Sequence, residues 1–138
     1  MKKEIVINKT VYIQGYLQEL ESILMSGSDD ELLHDSIRFH AIERLFQLFV
    51  DATVDINHYI IESHKLIPPD NYKGSFIILG EQKILPRDFA NKISDSVGLR
   101  NAVVHRYEEI SNLTILAGIK KVIPEYKEYL KHIVQYVA

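Results

Sequence analysis

Leu99-Arg100-Asn101-Ala102-Val103-Val104-His105-Arg106-Tyr107 sets an arginine, an amide, an imidazole and a phenol in one short, otherwise apolar stretch. Four residues separate Arg100 from His105, and one separates His105 from Tyr107. Burying such groups is costly unless each finds a partner, so their simplest common purpose is to converge on a ligand. The chemistry they suit is that of a phosphodiester. A guanidinium offers a planar set of donors to phosphate oxygens, and an imidazole carries a proton near neutral pH. The octet from Arg100 to Tyr107 is the candidate site.

The elements that must position it read as helical throughout. A first helix is expected from about Val6 to Met25, with Ile13, Leu17, Leu20 and Leu24 at three- and four-residue spacing. Ser26-Gly27-Ser28-Asp29-Asp30 breaks it, combining a helix-ending glycine with capping side chains. A second, long helix is expected from about Asp30 to Leu66, with Leu45, Phe49, Ala52, Ile56 and Tyr59 as its buried seam. Pro68-Pro69-Asp70-Asn71 ends it. A short helical piece follows from about Lys73 to Gln82, carrying Phe76, Ile77 and Leu79. Pro86-Arg87-Asp88 then opens a helix that carries Phe89, Ile93, Val97 and the octet. Gly98 lies inside it and weakens it unless close packing needs the space. A last helix is expected from about Leu113 to the C-terminus, kinked or restarted at Pro124. The expected fold is all-α, an antiparallel bundle of four main helices plus a short extra helix, in a single domain over 1–138.

Composition fits that frame. A chain of 138 residues with 46% hydrophobic and 25% charged residues is long enough to bury a core without staples. It has no cysteine, which excludes disulfides, thiolate metal sites and cysteine nucleophiles. No apolar run approaches the ~18 residues of a membrane span, and the N-terminus lacks a signal peptide's apolar stretch. A cytoplasmic protein with no membrane partner is expected. The net charge of -3 argues against non-specific coating of nucleic acid, while leaving room for one basic spot built on Arg100 and Arg106. Lys120, Lys121, Lys127 and Lys131 alternate with Glu125 and Glu128 and read as a solvated face.

Arginine, four residues, histidine, one residue, tyrosine on a later helix of a small helical chain resembles the HEPN superfamily, and within it the HepT toxins of bacterial toxin–antitoxin pairs. Arg44, Asp55-Ile56-Asn57-His58, Pro68-Pro69-Asp70-Asn71-Tyr72 and Gly98-Leu99-Arg100-Asn101 are similar to that group as well, so the resemblance spans roughly Asp30 to Leu130. It implies a metal-independent endoribonuclease, the toxin of an operon, that needs no cofactor. It also implies a partner, a minimal nucleotidyltransferase antitoxin that adds AMP to the motif tyrosine. Arg100 and His105 would then be the catalytic pair, Asn101 a supporting residue and Tyr107 the adenylylated one.

Helix geometry adds a constraint. At about 100° per residue, Arg100 and His105 stand about 140° apart on a regular helix. Either the helix ends or distorts near His105, or two copies of the motif meet across a dimer axis. The resemblance favours a homodimer.

Other readings stay open. Arg100 could pair with a carboxylate such as Asp95 or Glu108, with Tyr107 a core-edge residue. Asp51, Asp55, His58 and Glu62 form a second polar stripe, and Asp55 and His58 have the spacing helical bundles use for metal ligands. A solvated or interface-flanking stripe is the simpler reading, because a second ligand-bearing helix is lacking. Three classes follow: a ribonuclease toxin; a non-catalytic nucleotide-binding or scaffold module that partners a nucleotidyltransferase; and a metal-binding bundle.

Overall fold

A computed structural model describes residues 1–105 and 110–138. The described residues form α1 (Lys3–Leu24), α2 (Asp29–His34), α3 (Ser36–Ser63), α4 (Tyr72–Glu81), α5 (Arg87–Ser94), α6 (Ser96–His105) and α7 (Asn112–Val137), with no strand among them. The all-α bundle stands: α1, α3, α7 and the α5–α6 segment are its main members, and α4 is the short extra helix. No described helix is long and apolar enough to cross a membrane.

α3 is the centre. The expected seam is buried at Leu45, Phe49 and Ile56 and half-buried at Ala52 and Tyr59. A second stripe through Phe39, Ile42, Phe46, Val50, Val54, Ile60 and Ile61 is buried as well. A helix apolar on most of its sides must be covered on most of them, and α1, α4, α6 and α7 share a single core cluster around it. Phe46, Phe49, Phe76, Tyr126 and Tyr129 make edge-on and tilted ring contacts at its middle.

Two expected helices are each divided in the structure. The long helix breaks at Asp35, whose backbone is extended (φ -105, ψ 98). Its carboxylate accepts the Ile37 and Arg38 amide protons, both at 3.1 Å, and Arg38 Nε at 2.7 Å. An aspartate that caps so well starts a new helix even where the apolar pattern runs on. The helix after Pro86 breaks at Asp95, where the buried Ser96 hydroxyl donates back to the Ile93 carbonyl at 2.6 Å. Pro124, in contrast, causes no restart. It lies on the exposed face of α7, inside one unbroken helix.

α3 and α4 end alike. Leu66 N–H reaches the Ile61 carbonyl and Lys65 N–H the Glu62 carbonyl; Ile84 and Lys83 do the same with Leu79 and Gly80. This is the Schellman arrangement, which needs a left-handed residue just past the cap. Here two lysines fill that position, Lys65 at φ 60 and Lys83 at φ 61. A side chain in that region is strained, and glycine is not. Lys83→Gly should therefore stabilise the fold by roughly 0.5–1 kcal/mol despite glycine's greater freedom in the unfolded chain. Urea denaturation checks this, and a lower midpoint with an unchanged slope would contradict it.

Candidate functional site

Two buried phenols decide where the site's helices begin. Tyr126 and Tyr129 are fully buried on α7, and burial pushes both phenols well up from their ordinary range. A buried hydroxyl must find a partner. That of Tyr126 lies 2.7 Å from Ser96 Oγ, at the start of α6. That of Tyr129 donates to Asn57 Oδ1 at 2.6 Å; Asn57 Nδ2 donates to Ser75 Oγ at 3.0 Å, and Ser75 donates to the Tyr72 carbonyl at 2.7 Å. The chain of bonds ends at the first residue of α4. Asn71 caps that helix, accepting Gly74 N–H at 2.7 Å.

A second lock holds α6 against α7. A Cβ added at Gly118 would lie 2.8 Å from Leu99 Cδ2, so any other residue there makes the end of the Leu99 side chain shift. Leu99 immediately precedes Arg100.

The arginine itself is half-buried, and its partner among the described residues is Asp51, not Asp95. Arg100 Nε donates to Asp51 Oδ1 at 3.1 Å, and Nη2 lies 3.1 Å from the same oxygen. Asp95 instead faces Lys73 at 3.6 Å, and Glu108 lies outside the described residues. Nη1 donates to Asn101 Oδ1 at 3.2 Å, which joins the two neighbouring residues of the motif. The guanidinium carbon sits 4.6 Å from the centroid of the Tyr72 ring, in cation–π range. Burial, and next the Asp51 charge, push the Tyr72 phenol up from its ordinary range. Asp51, Tyr72 and Asn101 thus fix the guanidinium on three sides.

His105 ends the described part of α6 and is exposed. Helical backbone continues through it, so within one copy it diverges from Arg100 by about 140° around the helix axis. Tyr107 and Arg106 lie outside the described residues. Among the second stripe, Asp51 is taken up by Arg100, Asp55 and Glu62 are exposed, and His58 is half-buried with no partner for Nε2 among the described residues. The described residues contain no group of three or more side chains placed to hold a metal ion. Two lysines of the α7 face pair with acids, Lys120 with Asp29 and Lys127 with Glu21.

The family described as Ribonuclease HepT-like matches residues 13–133. A relative from Aphanizomenon flos-aquae named tRNA nuclease HepT is 32% identical over 134 residues, 96% of this chain and 90% of its own. This chain belongs to the HepT-like ribonuclease family. A second relative, named mRNA nuclease HepT, from Shewanella oneidensis, is 23% identical over 130 residues, 92% of this chain and 94% of its own. The solved structure of a tri-AMPylated HEPN toxin of Shewanella oneidensis in complex with MNT antitoxin superposes with a TM-score of 0.87. It is 21% identical, and the match covers 98% of this chain and 99% of that one, so it shows a shared fold.

What the sequence did not reveal at this site is the contact of the Tyr72 ring with Arg100 and the pairing of Asp51 with Arg100. Asp51 had a signal, since its polar stripe flanks the buried seam of α3. The pair spans 49 residues and depends on the register of α6 on α3, which spacing does not reveal. The side chains retain 16% and 32% exposure, so their attraction is partly screened. A double-mutant cycle with Asp51→Ala and Arg100→Ala should give a coupling of about 1 kcal/mol, at the low end of the range for contacting residues. Additive effects on the denaturation midpoint would show that the pair has no net hold.

Proposed function

We propose that the chain is a metal-independent endoribonuclease, the toxin of a toxin–antitoxin pair, with Arg100 and His105 as its catalytic pair and Asn101 in support. The observation that carries this reading is the guanidinium braced by Asp51, Asn101 and Tyr72, in a chain of the HepT-like ribonuclease family. A side chain held in advance loses no freedom when a phosphate arrives, which is the condition for stabilising charge in a transition state.

RNA brings its own nucleophile. The 2′-hydroxyl loses its proton as its oxygen attacks the adjacent phosphorus, and the bond to the 5′-oxygen breaks as that oxygen gains a proton. His105 serves one of these two transfers. Arg100 meets the charge that builds on the phosphoryl oxygens through the N–H groups not turned toward Asp51 and Asn101. DNA lacks the hydroxyl and is refused.

The divergence of Arg100 and His105 supports a homodimer in which one subunit's arginine works beside the other's histidine. His105→Ala and Arg100→Ala should each lose on the order of 10²–10⁴-fold in RNA cleavage, measured in excess chelator. After the two inactive variants are mixed and re-equilibrated, half the dimers carry one intact composite site, so about a quarter of wild-type activity should return. No recovery, with subunit exchange verified by mass, would mean that each chain's site is its own.

The regulatory partner in this reading is a minimal nucleotidyltransferase, and Tyr107 is the acceptor. Adenylylation two residues from His105 adds bulk and negative charge where the RNA backbone must pass. Incubation with that partner, ATP and magnesium should add AMP and silence cleavage, while Tyr107→Phe stays unmodified. Intact-mass spectrometry decides it: equal AMP addition to both proteins would reject the tyrosine assignment.

A further inference from the structure

Beside the braced arginine lies a cavity of about 610 Å³ between the Asp70–Lys73 turn and the α5–α6 junction, with Arg100 and Asn101 on its wall. Its size is in the range of small-ligand sites. Gly98, on the same wall, has no evident structural excuse. Its φ is not positive, and a Cβ added to it meets no heavy atom within 4 Å. Glycine inside a helix costs roughly 0.5–1 kcal/mol relative to alanine. Gly118 offsets that cost by admitting Leu99, whereas Gly98 admits only open space. A larger side chain at 98 would add bulk at this wall.

The charges of the wall say which part of a nucleotide belongs there. Asp70 and Asp95 line it, and Lys73 pairs with Asp95 at 3.6 Å with both side chains exposed, a weak and easily opened contact. The recess carries two acidic and two basic side chains, and away from Arg100 its carboxylates suit a base that presents an amino group, since a carboxylate accepts from such donors. Arg100 at the rim takes the phosphate. The Tyr72 ring and the guanidinium layered on it offer the flat surfaces on which single-stranded bases stack.

We propose that this cavity receives the base and ribose of the nucleotide flanking the scissile phosphate, and that Gly98 is kept free of a side chain to admit it. The inference rests on the ribonuclease reading only in placing this nucleotide beside a bond that is cut; nucleotide binding is tested without cleavage.

The probe is cytidine 3′-monophosphate, followed by amide NMR on the full chain. It should bind in the millimolar range and shift Asn71, Lys73 and Gly98. Inorganic phosphate should bind at least about tenfold more weakly and leave Asn71 and Lys73 unmoved. Gly98→Leu should fold with a melting temperature no lower than wild type and lose about tenfold or more in affinity for the nucleotide. Gly98→Ala should lose less than about threefold, since a single methyl group fills little of the space. Phosphate binding as tightly as the nucleotide, shifts confined to other surfaces, or full affinity in Gly98→Leu would overturn the proposal. If Gly98→Leu does not fold, the comparison of nucleotide with phosphate on the wild-type chain decides alone. Normal nucleotide binding by a chain that cleaves no RNA would fault the ribonuclease reading and leave this one standing.

Discussion

The burial of two phenol hydroxyls three residues apart on α7 is the constraint from which the site follows. Phe49 and Phe76 close around Tyr126, and Phe76 also packs on Tyr129, so neither hydroxyl reaches water. An unsatisfied hydroxyl there would cost about 1–3 kcal/mol. Tyr126 is satisfied by Ser96, the first residue of α6, and Tyr129 by Asn57 in the middle of α3, which in turn donates to Ser75 in the first turn of α4. The polar demands of the core therefore fix the two helices that carry Arg100 and Tyr72. Packing alone would leave each free to slide or rotate on an apolar surface, but hydrogen bonds of 2.6–2.7 Å set the register.

What register delivers is a guanidinium with a defined plane. Asp51 takes its Nε edge, Asn101 one amino group, and Tyr72 a face. Asp51 acts in two opposed ways. It holds the arginine in place, and it also neutralises part of the charge that a phosphodiester would seek. Half-burial settles the balance, because water still reaches both side chains and screens their attraction. A deeply buried pair would be too costly to loosen, while a fully exposed arginine would sample many rotamers. The intermediate burial leaves a group that is pre-oriented and still available to a second anion.

The helices and the octet were legible in the sequence because both are local patterns. Three- and four-residue apolar spacing located all the main helices, and the Ser28–Glu31 capping box stood in the expected break. The divisions at Asp35 and at Asp95–Ser96 were not legible. In both places the apolar periodicity continues across the break, and what stops the helix is a polar side chain satisfying backbone groups in three dimensions. The same limit hid Tyr72. A tyrosine after a Pro-Pro-Asp-Asn turn reads as a helix start, and only the packing of α4 beside α6 turns its ring toward Arg100. Gly98 drew notice as a helix weakener, but whether close packing required it depended on the space around its Cα.

A straight helix presenting two cooperating residues about 140° apart is a poor way to build a site within one chain. The structure leaves that difficulty in place, since α6 keeps its helical backbone through His105, whose side chain is exposed. The braces, meanwhile, tie Arg100 to α3 and α4, so the arginine cannot swing round to meet the histidine without breaking its contacts with Asp51 and Tyr72. Two-fold symmetry removes the conflict at no cost in helix geometry. The residue that one copy points away from its own arginine is then offered to its neighbour's. On that reading, the rigidity that makes the single chain look incomplete is what allows two chains to meet with both groups already oriented.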